Sequence, residues 1–236
     1  MPKNLRSYST TISVFALMLV IGAYALLHSP FFLVQNIHAS GSSYTTTQLA
    51  KIAGIEIGTS LLKLNVELAE SYLEEEPIIY RAIVRRHLPG TVVIEVEERT
   101  PIAAVPNGLE FWGVAADGTV LGPLNMAGIS LPIITGADPK ELVIGRKNLS
   151  ELVMGASILQ GLAQGMRDQI SEVNVESRDG LRLICRNLVQ FYLGGPGQMQ
   201  EKLQIVAAFL PKLGQAAPQS GAFVDVSNPN RPVVRK

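Results

Sequence analysis

Cysteine is nearly absent from this sequence. Its 236 residues hold one, Cys185, which excludes a disulfide within the chain. Flanked by Ile184 within the strand-like stretch 181–186, it reads as a small core side chain rather than a reactive thiol. Histidine is almost as scarce. His28, His38 and His87 are scattered, and none has a cysteine or carboxylate at metal-ligand spacing, so no metal motif is present. Charged residues make up 17% of the chain, the formal net charge is zero and no basic stripe runs through it, which excludes a nucleic-acid binder. No serine sits in a nucleophile-elbow pattern, and Gly194-Gly195-Pro196-Gly197 lacks the lysine of a phosphate-binding loop and reads as a turn. Glu95, Glu97 and Glu98 invite an acid–base reading. On a strand, however, Glu95 and Glu97 share an outer face beside Arg99, the layout of a solvated sheet surface. Glu74-Glu75-Glu76 closes a helix and reads as a solvated end. No enzyme activity, cofactor or small-molecule substrate is expected.

What is present points to an exported α+β protein. The apolar fraction of 47% excludes a disordered chain, and the length suffices for one or two domains with real cores. Lys3 and Arg6 precede a stretch, 11–27, that is apolar or hydroxylated throughout. It reaches roughly 20 residues if Tyr8 and His28 sit at the interfaces, the length of a membrane span. The positive flank comes first, which predicts a cytoplasmic tail over 1–10, a transmembrane helix over 11–29 and the remainder outside. A cleaved signal peptide fits the same residues, with an apolar core from Ile12 to Gly22 and a small-x-small site at Ala23-Tyr24-Ala25. Both readings export the folded part.

The stretch from Phe32 to Val105 organises the rest. An apolar run (Phe31, Phe32, Leu33, Val34, Ile37) stops at Ser40-Gly41 and predicts an extended entry. One of Thr45, Thr46 and Thr47 caps a helix carrying Leu49, Ile52 and Ala53. Gly54 and Gly58 break it, and a second helix is written by Leu64, Leu68, Tyr72 and Leu73 until Glu76-Pro77. Two strand-like runs follow, 79–87 and 91–99, turning at Leu88-Pro89-Gly90. In the second, Val92, Ile94 and Val96 alternate with Val93, Glu95 and Glu97, which predicts one buried face. Strand, helix, helix, strand, strand is most simply a three-stranded sheet with both helices on one face.

Several of these motifs together carry a resemblance. Gly54-Ile55-Glu56-Ile57-Gly58, Tyr80-Arg81-Ala82-Ile83-Val84-Arg85-Arg86 after Pro77, Pro89-Gly90-Thr91-Val92-Val93-Ile94-Glu95-Val96 and Glu98-Arg99-Thr100-Pro101-Ile102-Ala103 resemble the POTRA domain of the FtsQ/DivIB family of bacterial cell-division proteins. The resemblance places that domain at 30–104. It favours an uncleaved anchor in the cytoplasmic (inner) membrane, because members of the family are single-span proteins.

Beyond Val105 the sequence predicts mostly antiparallel strands with two helices, an extracytoplasmic domain over 105–227. Asp117-Gly118 between apolar runs is a hairpin signal. Residues 131–136 form a short extended piece. A helix is expected over 149–166 on the stripe Leu149, Leu152, Val153, Ala156, Leu159, Ala163 and Met166. Strands follow at 171–177, 181–186 and 189–193 around an Arg178-Asp179-Gly180 turn. A second helix carries Leu203, Val206, Leu210 and Leu213, and a linker over 214–221 leads to a last strand over 222–227. Residues 228–236 are read as a tail. The Asp117-Gly118 turn, Leu131-Pro132 with Gly136, and Phe223-Val224-Asp225-Val226 resemble further segments of the same family, and residues 137–150 match it least.

The resemblance implies a scaffold of the division machinery at the septum. Its outer domains would bind FtsB/FtsL-type coiled-coil proteins and help control the septal cell-wall synthase complex. The alternative is an exported POTRA module that handles secreted or outer-membrane proteins. Such transporters add a barrel of many alternating segments, which this sequence lacks. The terminal strand, Phe223, Val224, Asp225, Val226, Ser227 and Asn228, is the candidate partner site, read as a sheet edge because Pro229 and Pro232 cannot extend a ladder. At Ser227 and Asn228 the chain departs from the basic residue and aromatic that relatives often place there. Arg81, Arg85 and Arg86 form a possible secondary patch for an acidic partner or lipid headgroups. The anchor reading predicts that alkaline extraction leaves the full-length chain in the membrane pellet. A soluble species starting near Leu26 would overturn it.

Overall fold

The computed structural model describes residues 4–27, 30–125, 130–145, 147, 149–176, 180–214 and 222–235. His28, the 178–179 turn and the 215–221 linker lie outside the described residues, as does the side chain of Leu213. The chain divides into two compact units, Met1–Glu98 and Arg99–Lys236. Thr100, Pro101, Ile102 and Ala103, which the sequence expectation carried with the first domain, fall in the second.

Helix α1 (Asn4–Leu27) is 24 residues long, and its side chains from Ile12 to Gly22 are all exposed. Among the described residues no helix is long and apolar enough to cross a membrane.

The compact part of the first unit contains β1 (Asn36–Ser40), α2 (Thr46–Ile52), α3 (Val66–Glu74), β2 (Ile79–His87) and β3 (Thr91–Glu98). The sheet order is β1-β3-β2, with β1 parallel and β2 antiparallel to β3. Of the three candidate threonines, Thr45 is the cap, in a reciprocal box with Gln48. The entry is not strand from Phe31 onward. Pro30–Phe32 form a 3-10 turn, and Val34 bonds to the loop ahead of α3 through Val34 N–H to Thr59 C=O (2.8 Å) and Gly58 N–H to Val34 C=O (2.8 Å).

Val92, Ile94 and Val96 are buried, as their alternation predicts. The stripe of α3 is shifted. Leu68 and Tyr72 are 45% and 42% exposed, while Ala69 and Leu73 are buried. Asn65 caps the helix, so Leu64 precedes it and cannot set its phase. Two glutamates then take on a role that their spacing conceals. Glu70 accepts the N–H of Val84 (2.8 Å) and Glu74 that of Ala82 (3.1 Å). These carboxylates occupy donors along the outer edge of β2.

The second unit is one mixed sheet. Its strands are β4 (Pro101–Asn107), β5 (Glu110–Ala115), β6 (Val120–Pro123), β7 (Ile133–Thr135), β8 (Ile170–Asn174), β9 (Leu181–Cys185), β10 (Gln190–Gly194), β11 (Phe223–Asp225) and β12 (Val233–Arg235). Among the described residues their order is β12-β11-β10-β9-β8-β7-β4-β5-β6. Five pairings are antiparallel and three, β4–β7, β7–β8 and β10–β11, are parallel. Parallel neighbours need long crossovers. Here α4 (Ser150–Gln160) and the short α5 (Gln164–Arg167) join β7 to β8, and α6 (Met199–Gly214) joins β10 to β11. The single helix expected over 149–166 is therefore two. It breaks at Gly161, where a Cβ would run into Leu203 of α6.

The core holds Phe191, Ile134, Leu152, Leu159 and Leu183, all fully buried, together with Cys185. Burial pushes the Cys185 thiol up to about 12, as suits an inert core residue. Asp117 and Gly118 make the expected hairpin turn, with Gly118 at φ +79°. Arg99 does not stand beside Glu95 and Glu97. Its side chain is 5% exposed and meets Asp117 at 2.9 Å. Partial burial opposes ionisation of Asp117, but hydrogen bonds from Thr119 and Arg99 outweigh it, and the carboxyl sits below its usual range. Its stabilisation is present above the unfolded-state pKa and is lost as pH falls through the lower folded value. Residues 137–145 explain themselves in space. Leu142 is buried, Ile144 lies against Gly122, and Gly145 N–H bonds Val120 C=O (2.8 Å), so the segment covers the free side of β6.

Ile94→Asp is expected to cost several kcal/mol and unfold the first unit, since it buries an unpaired carboxylate. Glu95→Ala, which removes an exposed pair with Arg85, should cost about 1 kcal/mol or less. Thermal melts of the two variants check the register.

Candidate partner-binding edge

The terminal strand is not where the sheet ends. β11 lies parallel to β10 on one side and antiparallel to β12 on the other. Residues 228–236 were expected as a tail; of these, 228–235 fold back instead. Asn228 accepts at Oδ1 from Asn230 N–H (3.0 Å), and Arg231 N–H returns to Asn228 C=O (3.0 Å). Asparagine first and proline second suit such a turn, because proline's φ is already set for that position. Pro229 therefore sits inside the turn and Pro232 just ahead of β12, so neither interrupts a ladder. The outer edge belongs to β12, where Val233 and Val234 are 48% and 41% exposed. A β-branched pair directly after Pro232 was the sequence signal for it.

The six candidate residues divide accordingly. Val224 and Val226 are fully buried, and Val226 gives its N–H to Tyr192 C=O (2.9 Å). Phe223 is half-buried and stacks on Tyr192 with ring centroids 6.3 Å apart. Asp225 accepts from Ser227 N–H (2.9 Å) and Ser227 Oγ (2.6 Å), which braces the turn. Only Ser227 and Asn228 are exposed. Behind this edge Lys202, which the sequence reading did not single out, is 3% exposed and donates Nζ to Gly195 C=O (2.7 Å). Burial lowers its pKa against the opposing pull of Glu201, and the bond ties down the turn between β10 and α6.

Arg81, Arg85 and Arg86 lie in the other unit, all exposed on β2. Arg85 is bound to Glu95 at 2.9 Å and Arg81 stands opposite Glu97, so the patch is partly neutralised by its own sheet. Among the described residues no cluster of His, Cys, Asp or Glu could hold a metal ion.

A β-α-α-β-β module with both helices on a three-stranded sheet, followed by a mixed sheet with helical crossovers, defines a two-domain protein of the POTRA-containing class. Residues 32–99 match the model of the POTRA domain, FtsQ-type, and residues 103–227 that of the cell division protein FtsQ/DivIB, C-terminal. The chain belongs to the FtsQ/DivIB family of cell-division proteins. It is 28% identical to a cell division protein FtsQ of Myxococcus fulvus, over 91% of this chain and 78% of that relative. It is 30% identical to FtsQ of an Anaeromyxobacter strain (84% and 69%) and 23% identical to the cell division protein DivIB of Clostridium tetani (87% and 80%).

Val226→Pro is expected to lower stability by about 2–3 kcal/mol, because it strips a buried carbonyl of its donor inside the ladder. Asn228→Ala, at an exposed position, should cost about 0.5–1 kcal/mol. Urea midpoints at constant slope measure both.

Proposed function

We propose that this chain is a non-enzymatic scaffold of the division machinery. The reading that it is held in the cytoplasmic membrane rests on the sequence, on the apolar or hydroxylated stretch 11–27 behind Lys3 and Arg6. The chain binds FtsB/FtsL-type coiled-coil partners along its terminal sheet edge. The observation that carries the reading is the contrast between sheet edges. The carboxylates of Glu70 and Glu74 occupy donors on β2, and the 137–145 segment covers β6, whereas among the described residues β12 has a neighbour on one side only and carries two exposed valines. Exposed edges are normally shielded unless they are used. A partner strand added to β12 would meet Val233 and Val234 and run beside the Ser227–Asn228 turn. Backbone pairing replaces the side-chain anchor that the departures at those two positions remove. Lys3 and Arg6 hold the amino terminus in the cytoplasm, so both folded units work outside it, at the septum, where partner binding bears on the cell-wall synthase complex. Arg81 and Arg86 serve as a secondary contact for acidic headgroups or an acidic partner.

Truncation after Pro232 removes β12 and leaves β11 paired to β10. With the purified coiled-coil partner of the same organism, the truncated protein should lose capture while its Tm moves by about 8 °C or less. Arg81→Ala should keep capture. Full capture by the truncated protein would overturn the assignment.

A further inference from the structure

Three segments of the first unit meet where the chain enters its compact part, and each carries an exposed apolar side chain. The entering segment, 30–36, is held on both sides. On one, Leu61 N–H bonds Phe32 C=O, Val34 N–H bonds Thr59 C=O and Gly58 N–H bonds Val34 C=O, each at 2.8 Å. On the other, Gln35 and Asn36 give their N–H groups to Gly90 C=O (2.7 and 3.1 Å). Gly90 presses so closely that a Cβ there would stand 2.6 Å from the carbonyl oxygen of Leu33. Beside these bonded points lie Phe31, Ile57 and Leu88, which are 60%, 70% and 64% exposed. Large apolar side chains gathered from separate segments at one end of a sheet form a patch, unlike the single exposures of an ordinary surface. Lys63 and Arg86, both exposed, lie in or beside the same loops, where Glu56 is the one carboxylate.

What covers the patch follows from chain length, and rests on the reading of 11–27 as a membrane anchor. Phe31 comes four positions after Leu27, at most about 14 Å of extended chain. The headgroup layer is itself about 5–7 Å deep on each face of a bilayer. So short a tether keeps Phe31, and with it the two loops bonded to 32–36, beside the membrane surface. Aromatic and aliphatic side chains with lysine and arginine around them are the composition that settles between headgroups and acyl chains. We infer that this end of the first unit is a lipid-contact surface. Phe31, Ile57 and Leu88 enter the headgroup boundary, and Lys63 and Arg86 face anionic headgroups. Contact there also fixes which way the unit points. β1 and β3 both start at this end and run parallel, so they lead away from the bilayer and carry Ser40 and Glu98 outward.

The test uses the full chain in vesicles of phosphatidylcholine and phosphatidylglycerol whose acyl chains are brominated near the headgroup. A thiol-reactive dye is attached at Leu88→Cys or, as a reference, at Glu75→Cys, which is exposed just past α3 and ahead of the far end of β2. Cys185 is buried and stays unlabelled. Bromine should quench the dye at position 88 about twofold and leave the dye at position 75 unchanged. Adding Arg86→Glu or Ile57→Asp to the Leu88→Cys chain should remove about half of that quenching, with the melt retained because both positions are exposed. Equal quenching at positions 88 and 75, or quenching that neither added substitution changes in a folded chain, would overturn the inference. Alkaline extraction of the same vesicles keeps the two readings apart. A chain retained in the membrane without quenching at position 88 sinks the lipid contact alone, whereas a released chain sinks the anchor and the contact together.

Discussion

A sheet edge is a row of backbone donors and acceptors that must be met by something, and in this chain that demand sets the arrangement. Each of the two sheets has two edges, and the four are treated differently. On β2 the carboxylates of α3 take the free N–H groups of Ala82 and Val84. On β6 a segment poor in regular structure supplies Gly145 N–H to Val120 and lays Ile144 on Gly122. Among the described residues β12 and β1 each have a strand neighbour on one side only. The chain thus meets two of its edges from within, by side chains on one and by a loop on the other. It also gives apparently idle residues a purpose, the glutamates of α3 and the 137–145 segment among them.

Much of the first unit was legible because its signals are local. Val92, Ile94 and Val96 alternate without interruption, Thr45 and Gln48 sit at capping-box spacing, and Leu88-Pro89-Gly90 turns between two long strands. What failed there was phase. Leu64 looked like the head of a helical stripe but lies before the Asn65 cap, so Leu68 and Tyr72 turned outward and Ala69 took the core position. Arg99 was placed by its sequence neighbours on the sheet surface. Its partner, Asp117, lies 18 residues on, beyond the reach of any local pattern.

The candidate site was half legible. Phe223–Asp225 was correctly seen as a strand, yet its neighbours could not be read, because one is reached across α6 and the other across a proline-bearing turn. Proline normally argues against a ladder, but Pro229 and Pro232 flank the pairing rather than enter it. Glu70 and Glu74 were hidden for a different reason. A glutamate on a helix looks the same in sequence whether it faces water or a strand's bare amides. Lys202 was similarly disguised by an amphipathic helix in which one buried cation adds nothing to the period.

The two helical crossovers bear on how the second unit comes together in time. β10 is joined at once to β9 by a short turn, but its other side waits for α6 to form and swing β11 into parallel register. β4 meets β7, and β7 meets β8, only across comparable detours. Loop-closure entropy has to be met before such distant pairings return any stabilisation, so sheets of this kind assemble slowly. Local hairpins such as β4–β5 and β8–β9 form early. The strands that carry the outer edge join a surface already built by the rest of the sheet. An unfinished molecule therefore exposes β10 in place of β12, and presents a different edge from the mature one.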